Sequence, residues 1–348
     1  MSLIFMEGFD HLDVSAAAVK DWNFAQAASI STSYARFNGK GAVCNGRFDL
    51  MGIDLGADKT LSTIYFGIAC KKVQVGNPVG YGEGTYAHYW ISTYDENSGT
   101  NLKLSVMTDY SINLYDNGNS LLSSTSAGVF PDLQWFYFEM KLVVHATAGE
   151  VVMKINEEVV MNETGIDTQY TAGDYTRLLY FTSINYERNI YYDDMYVDDS
   201  QFHGDCRVRT FMPTSNGYTN FTPSTGSNYE NVDETTPDED TTYNEASDDG
   251  DKDSYGITSS INGPIIGVQL NNYARKTGDL IVKTKDLVKS GGTDYLSTEE
   301  KNQSTSYDYT VSMWENDPDT SSPWTQAGLD AAEFGIEITA MSTTTTTV

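Results

Sequence analysis

Basic residues, cysteine, histidine and proline are all scarce in this chain of 348 residues, which holds 21 Lys and Arg against 49 Asp and Glu, with 3 Cys, 4 His and 8 Pro. A formal net charge of -28 leaves no basic stripe to neutralise phosphates, so nucleic acid and anionic membrane surfaces are excluded as partners. Cys44, Cys70 and Cys206 are odd in number and far apart, giving neither a disulfide framework nor a CxxC metal site. They are expected to be reduced and structural. No apolar run approaches the ~18 residues of a membrane span. The N-terminus Met1 to Glu7 has no basic segment ahead of a long apolar one. The expectation is a soluble protein without a secretion signal, reaching the outside by lysis or on a particle. Contiguous enzyme signatures are missing as well: there is no Gly-x-Ser-x-Gly, no His-Glu-x-x-His and no Gly-Lys-Ser/Thr phosphate loop. His11, His88, His145 and His203 fall in separate segments and are assigned no role.

Period-2 alternation is abundant, and with 39% apolar and 12% aromatic residues the chain is rich enough to fold as an all-β protein of two domains. Residues 64–70 alternate, as do Leu102, Leu104 and Val106 with Lys103 and Ser105 between them. Asp116-Asn117-Gly118-Asn119 reads as a hairpin turn. The longest run, Trp135 to Val144, sets Phe136, Phe138, Met140, Leu142 and Val144 on one face and is the candidate central strand. A hairpin follows over 151–161, and strands at 178–181 and 190–197 close the first half. Many short strands at this spacing suggest a sandwich.

Between Asn228 and Ser254 stand eleven acids, one lysine and almost no aliphatics, which predicts a long acidic loop. Strand patterns at 206–210, 265–270, 280–282, 307–314 and 334–338 predict a second, smaller β-sandwich. Thr325 to Ala332 is the one helical stretch, with Thr325 as its cap. The expected divisions are residues 1–202, residues 203–340 with the acidic loop 228–254, and a flexible Thr-rich tail over 341–348.

Candidate chemistry is sparse. A sandwich glycosidase needs two acids across a cleft, and Glu139 is the only acid on the central strand, with Tyr137 and Lys141 beside it. The chain is therefore expected not to be an enzyme. The glycine-rich stretch 76–84 lacks the Lys-Ser/Thr of a phosphate cradle and reads as a surface loop. Tyr81, Tyr86, Tyr89 and Trp90 lie in or near it, and such aromatic faces suit a sugar ring or a protein partner, or else simply a sheet surface. A Ca²⁺ site is the most specific proposal for a cofactor: Glu7 and Asp10 follow the first strand, and Asp193 sits at a core-facing parity where an acid is costly unless paired or metal-bound. A solvated strand end is the alternative for Asp193. Asp248, Asp249, Asp251 and Asp253 lack the distal Glu of an EF-hand and read as a solvated charge run.

The strand 135–142, the hairpin 149–156 and the closing strand 191–197 resemble the second half of a concanavalin A-like (laminin G-like) jelly roll, and Glu7-Gly8-Phe9-Asp10 is similar to its start. The resemblance implies a first strand beside the last one and a structural Ca²⁺ shared by Glu7 or Asp10 with Asp193. The chain as a whole resembles structural proteins of tailed bacteriophages, on residues 3–11, the run from Gly204 to Asp238, and the pair 290–295 with 314–318. This implies a virion component, in the tail or tail fibre or decorating the capsid, that is non-enzymatic, forms a homo-oligomer and binds other virion proteins. The alternative is a carbohydrate-binding adhesin that contacts a host surface glycan through the region from Tyr81 to Trp90.

Overall fold

A computed structural model describes residues 3–12, 22–25, 29–44, 50–56, 61–73, 89–95, 99–170, 175–182 and 189–343. The chain divides into two compact units, Met1–Arg209 and Thr210–Val348. Among the described residues no helix is long and apolar enough to cross a membrane.

The strands of the first unit are β1 (Leu3–Glu7), β2 (Trp22–Ala25), β3 (Ser29–Ser31), β4 (Gly41–Cys44), β5 (Leu50–Asp54), β6 (Thr63–Lys72), β7 (Ile91–Tyr94), β8 (Thr100–Val106), β9 (Ile112–Tyr115), β10 (Leu121–Ser124), β11 (Trp135–Val143), β12 (Gly149–Ile155), β13 (Glu158–Ile166), β14 (Leu178–Thr182) and β15 (Ile190–Asp198). They make two antiparallel sheets. One runs β13-β12-β11-β6-β15-β4-β3, with β1 against β15, and the other runs β10-β9-β8-β7-β14-β5-β2. This is a jelly-roll sandwich, with the first strand beside the last.

Alternation decides what the sandwich buries. Phe136, Phe138, Met140 and Leu142 of β11 lie opposite Cys70, Ile68, Phe66 and Ile64 of β6, all at most 1% exposed. The second sheet answers with the row Met51, Phe181, Ile91, Leu104 and Leu114, equally buried. Trp90 joins the two, its ring 4.8 Å from Phe138 and 5.1 Å from Phe130. Each such side chain contributes about 1.5–3 kcal/mol by leaving water. The three cysteines are free, and Cys44 and Cys70 are buried among these residues.

The boundary between units falls at 209–210, not at 202–203, and residues 206–210 are not a strand. Buried acids hold this segment to the first unit. Gly204 N donates to Glu139 Oε1 at 2.8 Å, Val208 N to Asp194 Oδ1 at 2.9 Å, and Asp205 takes Arg36 Nη1 at 2.7 Å. A stretch whose N–H groups are satisfied by carboxylates has no need of a neighbouring strand.

The second unit holds β16 (Pro213–Thr219), β17 (Thr222–Pro223), β18 (Asn244–Glu245), β19 (Lys252–Ile257), β20 (Val268–Ala274), β21 (Leu280–Ser290), β22 (Thr293–Leu296), β23 (Lys301–Asn302), β24 (Asp308–Trp314), β25 (Asn316–Asp317), β26 (Ser322–Pro323), the short helix α1 (Gln326–Ala331) and β27 (Glu333–Thr343). A sheet β16-β19-β27-β21-β22, with β23 also on β21, is faced by the β20-β24 ribbon, whose Val268, Leu270 and Trp314 pack on Val288, Trp324 and Phe334. Thr325 caps α1 by accepting from Gly328 N at 3.0 Å, as its sequence predicts. Two expectations change here. The acidic stretch ends in β19, where Asp253 and Ser254 are fully buried, because Asn228 Nδ2 and Tyr255 Oη donate to the Asp253 carboxylate. Met341 to Thr343, expected in the tail, extend β27 against β21.

Candidate functional site

The residues expected to bind Ca²⁺ are each engaged with backbone. Glu7 Oε1 accepts from Phe9 N at 2.7 Å and Asp10 Oδ1 from Lys40 N at 2.9 Å. Asp193 Oδ2 accepts from Arg36 N, and its Oδ1 from Asp194 N, both at 2.8 Å. A bulge in β15, with Asp194 at φ 51°, turns both aspartates into buried positions. Burial raises both carboxyls, and the neighbouring Asp194 charge raises Asp193 further. Among the described residues no group of three or more His, Cys, Asp or Glu is arranged to hold a metal ion.

Of the four aromatic candidates, Tyr81 and Tyr86 lie outside the described residues. Trp90 is fully buried and is a core residue. The irregular start of β7 explains the difference: Trp90 N bonds Leu104 O, so Trp90 and Ile91 both turn inward and Tyr89 turns to the outer face. Tyr89 stays half-buried there, 6.2 Å from the Tyr115 ring.

Tyr89 marks one end of a row that sequence periodicity did not single out. Across the outer face of the second sheet the register places Gly52, Tyr180, Ser92, Lys103 and Tyr115 side by side on β5, β14, β7, β8 and β9. Gly52 is what lets Tyr180 lie down: a Cβ at that position would stand 2.2 Å from Tyr180 Cε1. Tyr94 meets Tyr180 edge to face at 5.0 Å, and Arg177 beside them is held by Asp54 at 2.6 Å. Tyr94 and Tyr180 are half-buried, whereas Ser92, Lys103 and Tyr115 in the middle of the row are nearly covered.

The hairpin turn after β9 closes over the row. Asn119, at φ 66°, presents its Oδ1 to Lys103 Nζ at 2.7 Å and to Tyr89 Oη at 2.6 Å, and Asn117 O accepts from Lys103 at 3.2 Å. The Tyr89 ring lies 5.0 Å from the ammonium. Burial lowers the Lys103 pKa, with the Asp116 charge acting against it. Beside the same turn, Tyr170 is 47% exposed, its ring across Gly99, and Asn117 Nδ2 donates to Gln169 O at 3.1 Å. Tyrosine planes, amide groups and one ammonium along a sheet face can stack on sugar rings and hydrogen-bond their hydroxyls.

The sequence carried half of this signal. Lys103 stands out as polar between Leu102 and Leu104, and Asn119 as a turn residue. The pairing of Tyr180 with Gly52 and Ser92 depends on cross-strand register, which no single segment encodes.

No protein-family model matches the sequence, and no curated protein matches it. Solved structures are similar at the level of fold. An endo-β-1,4-glucuronan lyase from the fungus Trichoderma reesei is 12% identical with a TM-score of 0.38, over 57% of this chain and 99% of that one. Domain 4 of AbnA, an extracellular arabinanase from Geobacillus stearothermophilus solved with arabinotriose, is 14% identical with a TM-score of 0.37, over 57% and 92%. A carbohydrate esterase from the Shiga toxin-encoding bacteriophage phi24B is 11% identical with a TM-score of 0.38, over 57% and 99%. At these values no residue role or substrate is transferred from them. The expectation of a chain without activity is nevertheless withdrawn, because the similar folds include a lyase and an esterase. A sandwich that assembles its chemistry from neighbouring strands leaves no contiguous motif to search for.

Proposed function

We propose that the first unit binds carbohydrate on the outer face of its second sheet. One observation carries this reading: Tyr180, Ser92, Lys103 and Tyr115 form a continuous row on four adjacent strands, flanked by Tyr94 and Tyr89, on the side of the sheet away from the core. A sheet surface under no demand beyond solubility carries scattered charges, whereas this one concentrates large amphipathic planes. The setting we propose is a phage particle, where the unit would contact a host surface glycan. That part rests on the resemblance of residues 3–11, 204–238, 290–295 and 314–318 to tailed-phage structural proteins.

A glycan array probed with the full chain tests the binding. The expected result is retention of a defined set of glycans, weakened about twofold to tenfold by Tyr94→Ala or Tyr180→Ala, since one stacked ring is worth roughly 0.5–1.5 kcal/mol. Retention unchanged in both variants would remove the face from consideration. Immunogold labelling of phage particles tests the setting, and particles without label would refute it.

A further inference from the structure

Several cations of the first unit are paired with acids: Arg36 with Asp205, Lys72 with Asp132, Lys141 with Glu150 and Arg177 with Asp54. Lys103 is not among them. It is 9% exposed, and its ammonium is held by two neutral oxygens, Asn119 Oδ1 and Asn117 O, and by the Tyr89 ring. The acid whose charge it feels, Asp116, is turned away, with Oδ1 accepting from Ser120 N at 2.7 Å. In a chain with 49 acids and 21 basic residues, a largely desolvated cation without an ion-pair partner is costly and easily remedied. Three donors belong to an ammonium, and two are occupied here.

We infer that Lys103 is the anion-reading residue of this face and that the glycan it accepts carries a carboxylate, as a uronate does. The inference rests on the carbohydrate-binding reading above and narrows its ligand class. A carboxylate delivered to the third donor supplies the missing counter-charge through a charge-assisted hydrogen bond, roughly twice as strong as a neutral one. The chain's overall negative charge does not forbid this, because at physiological salt charges beyond about 8 Å are largely screened and the local cation decides. Tyr89, the half-buried ring beside the ammonium, would stack on the ring that carries the carboxylate.

The test is titration of the full chain with several oligosaccharide backbones, each supplied as the uronate and as its carboxyl-reduced neutral counterpart. Oligogalacturonate and cellouronate are two such backbones. For at least one backbone the uronate is expected to bind about tenfold more tightly than its neutral twin, a preference that shrinks as salt is raised. Lys103→Met is expected to bring the two affinities together, and Lys103→Arg to keep the preference. Equal binding of the twins by the parent, or a preference that survives in a folded Lys103→Met chain, overturns the assignment of Lys103. Should Lys103→Met fail to fold, loss of the preference when the parent is titrated at high salt is the deciding measurement, and a salt-independent preference overturns the assignment. Absence of binding to every member of every pair overturns the carbohydrate-binding reading itself.

Discussion

Gly52 and Trp90 are single residues whose roles are fixed by what lies against them. The Tyr180 ring occupies the space where a side chain at 52 would begin, so Gly52→Ala must push that ring off the sheet. The expected outcome is glycan affinity reduced about as much as by Tyr180→Ala, measured by titration. A Gly52→Ala chain that binds normally would mean the ring does not form the platform. Trp90, expected from sequence to touch a ligand, packs instead against Phe130, Phe136 and Phe138. Trp90→Ala is therefore expected to cost about 3–5 kcal/mol of stability, read by chemical denaturation. Its nearness to Tyr89 in sequence was misleading because one irregular backbone step puts neighbours on opposite faces. Glu139 was identified correctly as the only acid of its strand, but its partners, Tyr196 Oη and Gly204 N, come from distant segments and could not be read from spacing.

At the scale of elements, strands were legible wherever one face is apolar and the other polar. The bounds of β6, β8, β11, β12 and β15 fall close to their alternating runs, although β8 is buried on both faces and a bulge interrupts β15. Legibility failed where the backbone is satisfied by carboxylates, as at residues 204–208, and where an acid is buried against neutral donors, as at Asp253. The segment after β15 carries a prediction. A fragment ending at 202 leaves Glu139 and Asp194 without Gly204 N, Val208 N and the Asp205 anchor of Arg36. Each unsatisfied buried group costs about 1–3 kcal/mol, so a fragment of residues 1–209 is expected to melt well above one of residues 1–202. Equal melting temperatures would show that the segment is dispensable.

Two strands of the second unit carry a pH signature. Asp253 on β19 and Asp286 on β21 are fully buried, and burial raises both carboxyls even though Asn228, Tyr255, Asn272 and Ser312 donate to them. A raised folded-state pKa means the folded unit holds these protons more tightly than the unfolded chain does. Their contribution to stability is complete below the ordinary carboxylate value of 3.8 and is lost as pH rises through the raised values. The second unit is expected to lose melting temperature as pH is raised from the ordinary carboxylate value of 3.8, and Asp286→Asn to flatten that dependence. An unchanged slope in the variant would assign the effect to other groups.

On the scale of the whole molecule, composition set the fold class, while the proposed function is carried by a surface. The charge of -28 hides a nearly buried cation, Lys103, that is held by neutral oxygens on the sheet face. All-β architecture was visible in alternation, and jelly-roll order in the resemblance carried by the opening and closing strands. The site was not, because it is made by register across five strands. Its most direct test is titration of the full-length chain with an array-selected glycan, comparing the parent with the Tyr94→Ala/Tyr180→Ala double variant under conditions where both are folded. The account predicts saturable binding by the parent and its loss in the double variant. Equal binding by the two proteins, or none by the parent to any glycan, would contradict it.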